Sequence, residues 1–302
     1  MVDLEYPRRR WSARTLGILI GLLVPASLAE PVALSQRWLV YFSAATQGKA
    51  AESTAVAVPG DSTLVTVIAN GADPMTPRLQ LGNRPIPAKV IGHDPVSRLQ
   101  FLQFQDSVPI KSNEWLSDAG ASASASMVAM TPNGPVKCRT TGWVKQVGGK
   151  ILPFALLRVT FGAAVPPPGT PLTDEAGRVA AVVFQDAGAG NSGYAIPAEA
   201  VHRVQRDICN GGHLVRGWLG LSLRAESQAP QVIRVLPNSP ASAAGILPGD
   251  VIVSIGSRSV TDYADAANAF FYLIPGQAVE VKLLRGVEQL TYSLTPTKPV
   301  SK

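Results

Sequence analysis

The stretch NSPASAAGILPGDVIVSIGSRSV, residues 238–260, decides how the C-terminal third of the chain is read. Ser239 followed by Pro240 predicts a one-turn helix. The Ser accepts an early N–H, and the Pro sits where its missing N–H costs nothing. LPGD (247–250) is turn punctuation, and DVIVSIG (250–256) has the length and apolarity of a buried strand. Upstream, VIRVLP (232–237) reads as a strand. Downstream, Thr261 is placed to cap a helix from about Asp262 to Leu273, with Tyr263, Ala267, Phe270 and Ile274 on one stripe. VEVKLL and LTYSLT then flank Arg285-Gly286 as a hairpin.

Together with RGWLGLSL (216–223), these elements resemble a bacterial PDZ domain of the HtrA type over residues 212–298. The resemblance implies a module that takes up a peptide as an extra strand on a sheet edge. It implies a carboxylate-binding loop at Trp218, Leu219, Gly220 and Leu221, where Gly220 permits backbone angles that other residues resist. Leu219 and Leu221 would floor an apolar pocket, and Tyr263, Ala267 and Phe270 would form its other wall. The same apolar residues also suit the module's own core, and Trp218 also suits a place beneath the loop. The implied partners are polypeptide C-termini or extended internal segments.

Ahead of this module the texture changes. RWLVYF (37–42), TAVAV (54–58), TLVTVIA (63–69), AKVIG (88–92), LQFLQF (99–104), MVAM (127–130), LLRVT (156–160) and VAAVVF (179–184) are short apolar or alternating runs separated by turn residues. That spacing predicts a mainly β sandwich or barrel. AEAVHRVQRDI (198–208) is a helix with Val201, Val204 and Ile208 on one face, stopped by Gly211-Gly212. The domain boundary falls there.

Residues 31–210 are similar, in patches, to the trypsin-like protease domain of the HtrA/DegP family. IPAKVIGHDPVSRLQFLQF (86–104) resembles the segment around the family's catalytic aspartate. GTPLTDEAGRVAAVVF (169–184) resembles the stretch after the nucleophile, and GYAIPAEAV (193–201) resembles the closing strand and helix. The implied fold is a chymotrypsin-like double β-barrel followed by the α+β PDZ domain.

A Ser-His-Asp triad needs a nucleophile, a base and an orienting acid. The resemblance places the acid on Arg98, the serine on Pro168 and the histidine near Val67, and no histidine occurs between residues 1 and 92. Proline has no N–H, so Pro168 also lacks a donor for the oxyanion. Gly190-Asn191-Ser192-Gly193 looks like a nucleophile motif, but it follows the hairpin it should precede. His93-Asp94, His202 and His213 have no serine placed to complete a triad. The expectation is an inactive HtrA-like pseudoprotease acting as scaffold, adaptor or regulator. The alternatives are an active serine endopeptidase with a displaced triad and a structural, membrane-attached partner with an empty groove. Active HtrA-type proteases are implied partners, and trimer formation among HtrA relatives leaves a homo-oligomer open.

Residues 1–29 have the three parts of an export signal: Arg8-Arg9-Arg10, the apolar run 16–24, then Pro25 and the small residues Ser27 and Ala29. An exported, periplasmic or secreted protein is expected, with an uncleaved N-terminal anchor as the alternative. In an oxidising compartment Cys138 and Cys209 could pair, or remain two separate thiols. Two Cys and three scattered His have no metal-ligand spacing, so neither a metal nor a cofactor is expected. The net charge of +6 is not gathered into a basic run with interleaved aromatics, which argues against nucleic acid.

Overall fold

A computed structural model describes residues 38–43, 51–59, 62–104, 113–117, 124–188, 190–224 and 229–299. The expected export segment, residues 1–29, lies outside them. The described residues pack as one compact unit.

The first lobe consists of β1 (Trp38–Phe42), β2 (Ala51–Ala57), β3 (Thr63–Val67), β4 (Arg78–Leu81), β5 (Arg84–Ile86), β6 (Ala88–His93) and β7 (Leu99–Phe104). They form one sheet in the order β5-β4-β1-β2-β3-β7-β6. All of β3 is buried, as a strand covered on both faces requires. The lobe's core includes Trp38, Phe42, Leu64 and Leu102.

The second lobe follows with β8 (Ser126–Thr131), β9 (Gly134–Val147), β10 (Lys150–Phe161), β11 (Pro171–Thr173), β12 (Val179–Asp186) and β13 (Ser192–Pro197). These close into a barrel in the order β10-β13-β12-β11-β8-β9. Mainly β architecture in two lobes is what the sequence predicts, though only the second lobe closes. The 14-residue β9 escapes sequence reading because its alternation is polar and weak: GPVKCRTTGWVKQV. With the 12-residue β10 it makes the longest hairpin among the described strands.

Helix α1 (Ala198–Gly211) follows directly from β13, buries Val201, Val204 and Ile208 as predicted, and ends at Gly212, whose φ of 74° is left-handed. Beyond it come β14 (Leu221–Leu223), β15 (Val232–Val235), α2 (Pro240–Ala243), β16 (Val251–Ile255), β17 (Arg258–Ser259), α3 (Tyr263–Phe271), β18 (Val279–Arg285) and β19 (Glu288–Leu294). β14 pairs with β15, and β17-β16-β18-β19 form a second sheet around Ile252, Leu283 and Val281. Ser239 caps α2 by accepting the Ser242 N–H at 3.1 Å. The predicted cap of α3 is corrected. Asp262 accepts the Asp265 N–H at 2.7 Å, while the Thr261 hydroxyl donates to the Asp265 carboxylate at 2.5 Å.

The Cys138–Cys209 disulfide is not formed. Cys138 of β9 is buried in the core of the second lobe, Cys209 is exposed near the end of α1, and both thiols are free. Burial pushes the Cys138 thiol up to about 12.

Candidate functional site

A cleft of about 440 Å³ opens between β14 and α3. Leu221, Ser222 and Leu223 line one side, and Tyr263, Ala267 and Phe270 the other. Arg216 and Gly217 also line it, and Pro153 of β10 adds a wall from the second lobe.

The loop at the head of the cleft is held by its carbonyls. Trp218 C=O accepts the Thr297 N–H at 3.0 Å, Leu219 C=O the Ala241 N–H at 3.0 Å, and Gly220 C=O the Leu236 N–H at 2.8 Å. All peptide bonds here are trans. In a trans peptide the C=O and the next N–H point in opposite directions. The N–H groups of Leu219, Gly220 and Leu221 are therefore aimed away from the three elements that hold the carbonyls.

Gly220 makes this loop possible. Its φ is +80°, and a Cβ there would lie 2.1 Å from Ser239 Cβ. No side chain fits, and the left-handed angle suits glycine. The same angle breaks the alternation of the segment. Leu221 reaches the cleft, but Leu219, 3% exposed, turns into the module's core. The predicted pocket role of Leu219 is corrected accordingly. Trp218 is not a lining residue either: it forms a backbone bridge to Thr297, and its ring lies beside Gly220. Leu221, Tyr263, Ala267 and Phe270 are placed in the cleft as the sequence predicts. Ser222, Leu223, Arg216 and Pro153 were missed, and for Pro153 no local sequence signal exists.

The far face of α3 is clamped to the barrel lobe. Phe271 stacks at 4.7 Å on Phe154 of β10 and joins the core around Val201, Val204 and Ile208. The Ala155 N–H donates to Asn268 Oδ1 at 2.7 Å, and Lys145 of β9 pairs with Asp265. Burial alone would raise the Asp265 carboxyl, but the bonds from Lys145 and Thr261 hold it below its usual range. From α1, the buried Arg203 guanidinium donates to Leu273 O at 3.0 Å and Val215 O at 2.8 Å, while bonded to Asp207 at 2.6 Å. Arg258 stacks on Tyr272 at 3.6 Å and pairs with Glu199.

Between the two lobes, the segment 166–170 is tied to β2. The Thr54 N–H donates to Pro168 O at 2.8 Å, and the Gly169 N–H to Val183 O at 2.8 Å. Gly169, at φ +82°, passes so close that a Cβ would sit 2.0 Å from Thr54 O. Nearby, Arg98 adopts a left-handed φ of 58°. Its guanidinium stacks over the Phe184 ring at 4.1 Å and donates to Phe184 O at 3.2 Å and Gln185 Oε1 at 2.9 Å; it also reaches Asn70. Val67 is fully buried. Ser192 faces Thr160 across β10 and β13. His93 sits opposite Gln100, His202 edges onto Trp115 at 5.4 Å, and His213 bonds Gly211 O. Among the described residues no histidine is hydrogen-bonded to a serine, and no cluster of His, Cys, Asp and Glu could hold a metal.

A two-lobed β-fold followed by a strand–helix cleft defines a trypsin-fold protein with a peptide-binding module. Comparison agrees on both parts. Residues 217–295 match the PDZ domain family. The chain is 26% identical over 241 residues to a "Probable periplasmic serine endoprotease DegP-like" of Chlamydia trachomatis, covering 70% of this chain and 46% of that one. It is 27% identical over 251 residues to the protein of the same description from Hahella chejuensis, covering 73% and 51%. Against the periplasmic serine endoprotease DegP of Salmonella typhimurium, 243 residues are 26% identical, covering 72% and 50%. The chain thus spans about half the length of the curated relatives it matches. Among solved structures, the HtrA-type protease AlgW with tripeptide superposes with a TM-score of 0.63 at 21% identity, covering 89% of this chain and 96% of that one. AlgW with decapeptide gives 0.61 at 20%, covering 92% and 99%. The chain is an HtrA-like, trypsin-fold protein with a PDZ domain at its C-terminal side.

Proposed function

We propose that this protein binds the C-terminal ends of polypeptides in the cleft between β14 and α3, and that its barrel lobes do not cleave them. The observation that carries the binding half is the loop 218–221. Three consecutive carbonyls are tied down, and trans geometry turns the three N–H groups that follow them the opposite way, where a ligand can meet them. A carboxylate accepting them makes charge-assisted bonds, about twice as strong as neutral ones. Arg216 also lines the cleft and adds positive charge. The ligand then runs antiparallel along β14, with its last side chain against Leu221, Ala267 and Phe270. AlgW, a structural neighbour, was solved with peptides, which supports the same use here.

The absence of cleavage is argued from residue types at the positions the family uses. The nucleophile position falls on Pro168, which has neither hydroxyl nor N–H. The oxyanion donors are the N–H groups of the nucleophile and of the residue two before it. Here that second residue is Pro166, so both donors are gone. Removing even one costs about 10²–10³ in rate. The acid position carries Arg98, a cation engaged with Phe184 and Gln185. The base position carries buried Val67.

The role that follows is scaffold, adaptor or regulator, exercised in the exported compartment where the named relatives act. Assembly with active HtrA-type proteases is the regulatory form of this role. A pull-down separates it from scaffolding: active relatives in the catch mean regulation, unrelated proteins mean scaffolding. Inactivity is tested by a casein digest with Ser192→Ala as control. No cleavage above buffer is expected from either protein. Cleavage that disappears in Ser192→Ala would overturn the proposal.

A further inference from the structure

We infer that the cleft selects acidic C-termini, favouring Asp or Glu at the second and fourth residues from the ligand's end. The inference rests on the cleft reading above and adds the ligand's charge pattern.

The register follows from the loop. With the terminal carboxylate held by the N–H groups of Leu219, Gly220 and Leu221, an antiparallel ligand places its last residue opposite Leu221. The next residue then lies opposite Ser222, the third opposite Leu223 and the fourth opposite Arg224. Side chains alternate across a sheet. The last and third ligand residues share the face of Leu221 and Leu223 and enter the cleft. The second and fourth share the opposite face, with Ser222 and Arg224.

That face is basic. On β15, Arg234 lies directly opposite Ser222, so both point the same way. Arg234 and Arg224 are exposed. Neither has a side-chain hydrogen bond or ion pair among the described residues, whereas Arg98, Arg178, Arg203, Arg258 and Arg285 are all engaged. Among the described residues, the acids on the helix side of the cleft are turned elsewhere: Asp262 caps α3, and Asp265 is held by Lys145 and Thr261. A ligand carboxylate at the fourth position would meet Arg224 as a direct cross-strand partner. One at the second position would lie one strand from Arg234, within reach of its long side chain. Opposite charges across strands stabilise, and like charges destabilise.

The test uses the full chain and fluorescein-labelled decapeptides of one sequence ending in valine, with Asp, Ser or Lys at both positions. Fluorescence anisotropy reads the affinity. At low salt the Asp peptide is expected to bind about tenfold tighter than the Lys peptide, with Ser between, and the gap should shrink to about twofold in 0.5 M salt. In Arg224→Glu/Arg234→Glu the order should reverse, and measurable binding of the Ser peptide, weakened by the added negative charge, reports an intact cleft. Equal binding of all three peptides by the unmodified protein, or an unreversed order in the variant, overturns the inference and leaves the cleft reading standing. If none of the three binds, both fall together.

Discussion

Adding one methyl group at Gly220 tests the geometry of the loop. In Gly220→Ala the new Cβ would sit 2.1 Å from Ser239 Cβ and 2.5 Å from Ser239 Oγ. Contacts that short do not occur, so Ser239 or the loop must move. Moving Ser239 breaks its 2.6 Å bond to Leu236 O and its 3.1 Å cap on Ser242. Overpacking of this kind costs about 1–3 kcal/mol. Holding a non-glycine residue at φ +80° adds about 1–2 kcal/mol. The expected loss is about 2–5 kcal/mol, read as a lowered urea midpoint. Peptide affinity should fall at least tenfold, because the three N–H groups lose their common aim. Gly220→Ala/Ser239→Gly removes the clash but keeps the backbone strain, so it should recover about half of the stability. A loss under about 0.5 kcal/mol in Gly220→Ala, the ordinary range for a surface change, would refute the reasoning. So would a double variant no better than the single one.

Three further outcomes follow from the packing and the titrating groups. Phe271→Ala empties the contact with Phe154 and should cost about 3–5 kcal/mol, loosening α3 from the barrel, as hydrogen exchange at residues 263–271 would show. In the folded protein a thiol reagent at pH 8 should modify Cys209 alone, since burial holds Cys138 near 12, and both should react in urea; two unreactive thiols under denaturing conditions would mean a disulfide. The Asp265 carboxyl sits below its unfolded value of 3.8, so the stability it supplies is complete above that pH and is lost as the pH falls through its folded value. Asp265→Asn should therefore lower the melting temperature at pH 7 and flatten its decline in acid; a parallel acid limb in both proteins would count against the clamp.

The β-rich character, the end of α1 at Gly212 and the helix with Tyr263, Ala267 and Phe270 were legible because apolar periodicity and glycine punctuation are local signals. Three features were not legible, each for a physical reason. The stripe on α3 was readable as one face, but Ala266 also buries in the module's own core and Phe271 in the core around Phe154 and Val201, so the helix is covered on more than one side. Leu219 and Leu221 look equivalent in a strand, and the left-handed Gly220 between them sends one to the core and the other to the cleft. Strand β9 hid because a barrel wall with one solvated face needs few apolar residues. In the proposal of inactivity, Pro168 is legible in the sequence as the residue at the family's nucleophile position, while the part given to Pro166 emerges once donor spacing is applied to the same loop.

Binding without cleavage can be read in a single mass spectrum. The full chain is incubated for a day with an equimolar unfolded polypeptide ending in an acidic, valine-terminated segment, and the bound species is recovered and weighed. The expected result is the intact polypeptide, retained when its C-terminus is free and lost when that terminus is amidated. Recovery of shortened fragments, or equal retention of the amide, would contradict the central claim.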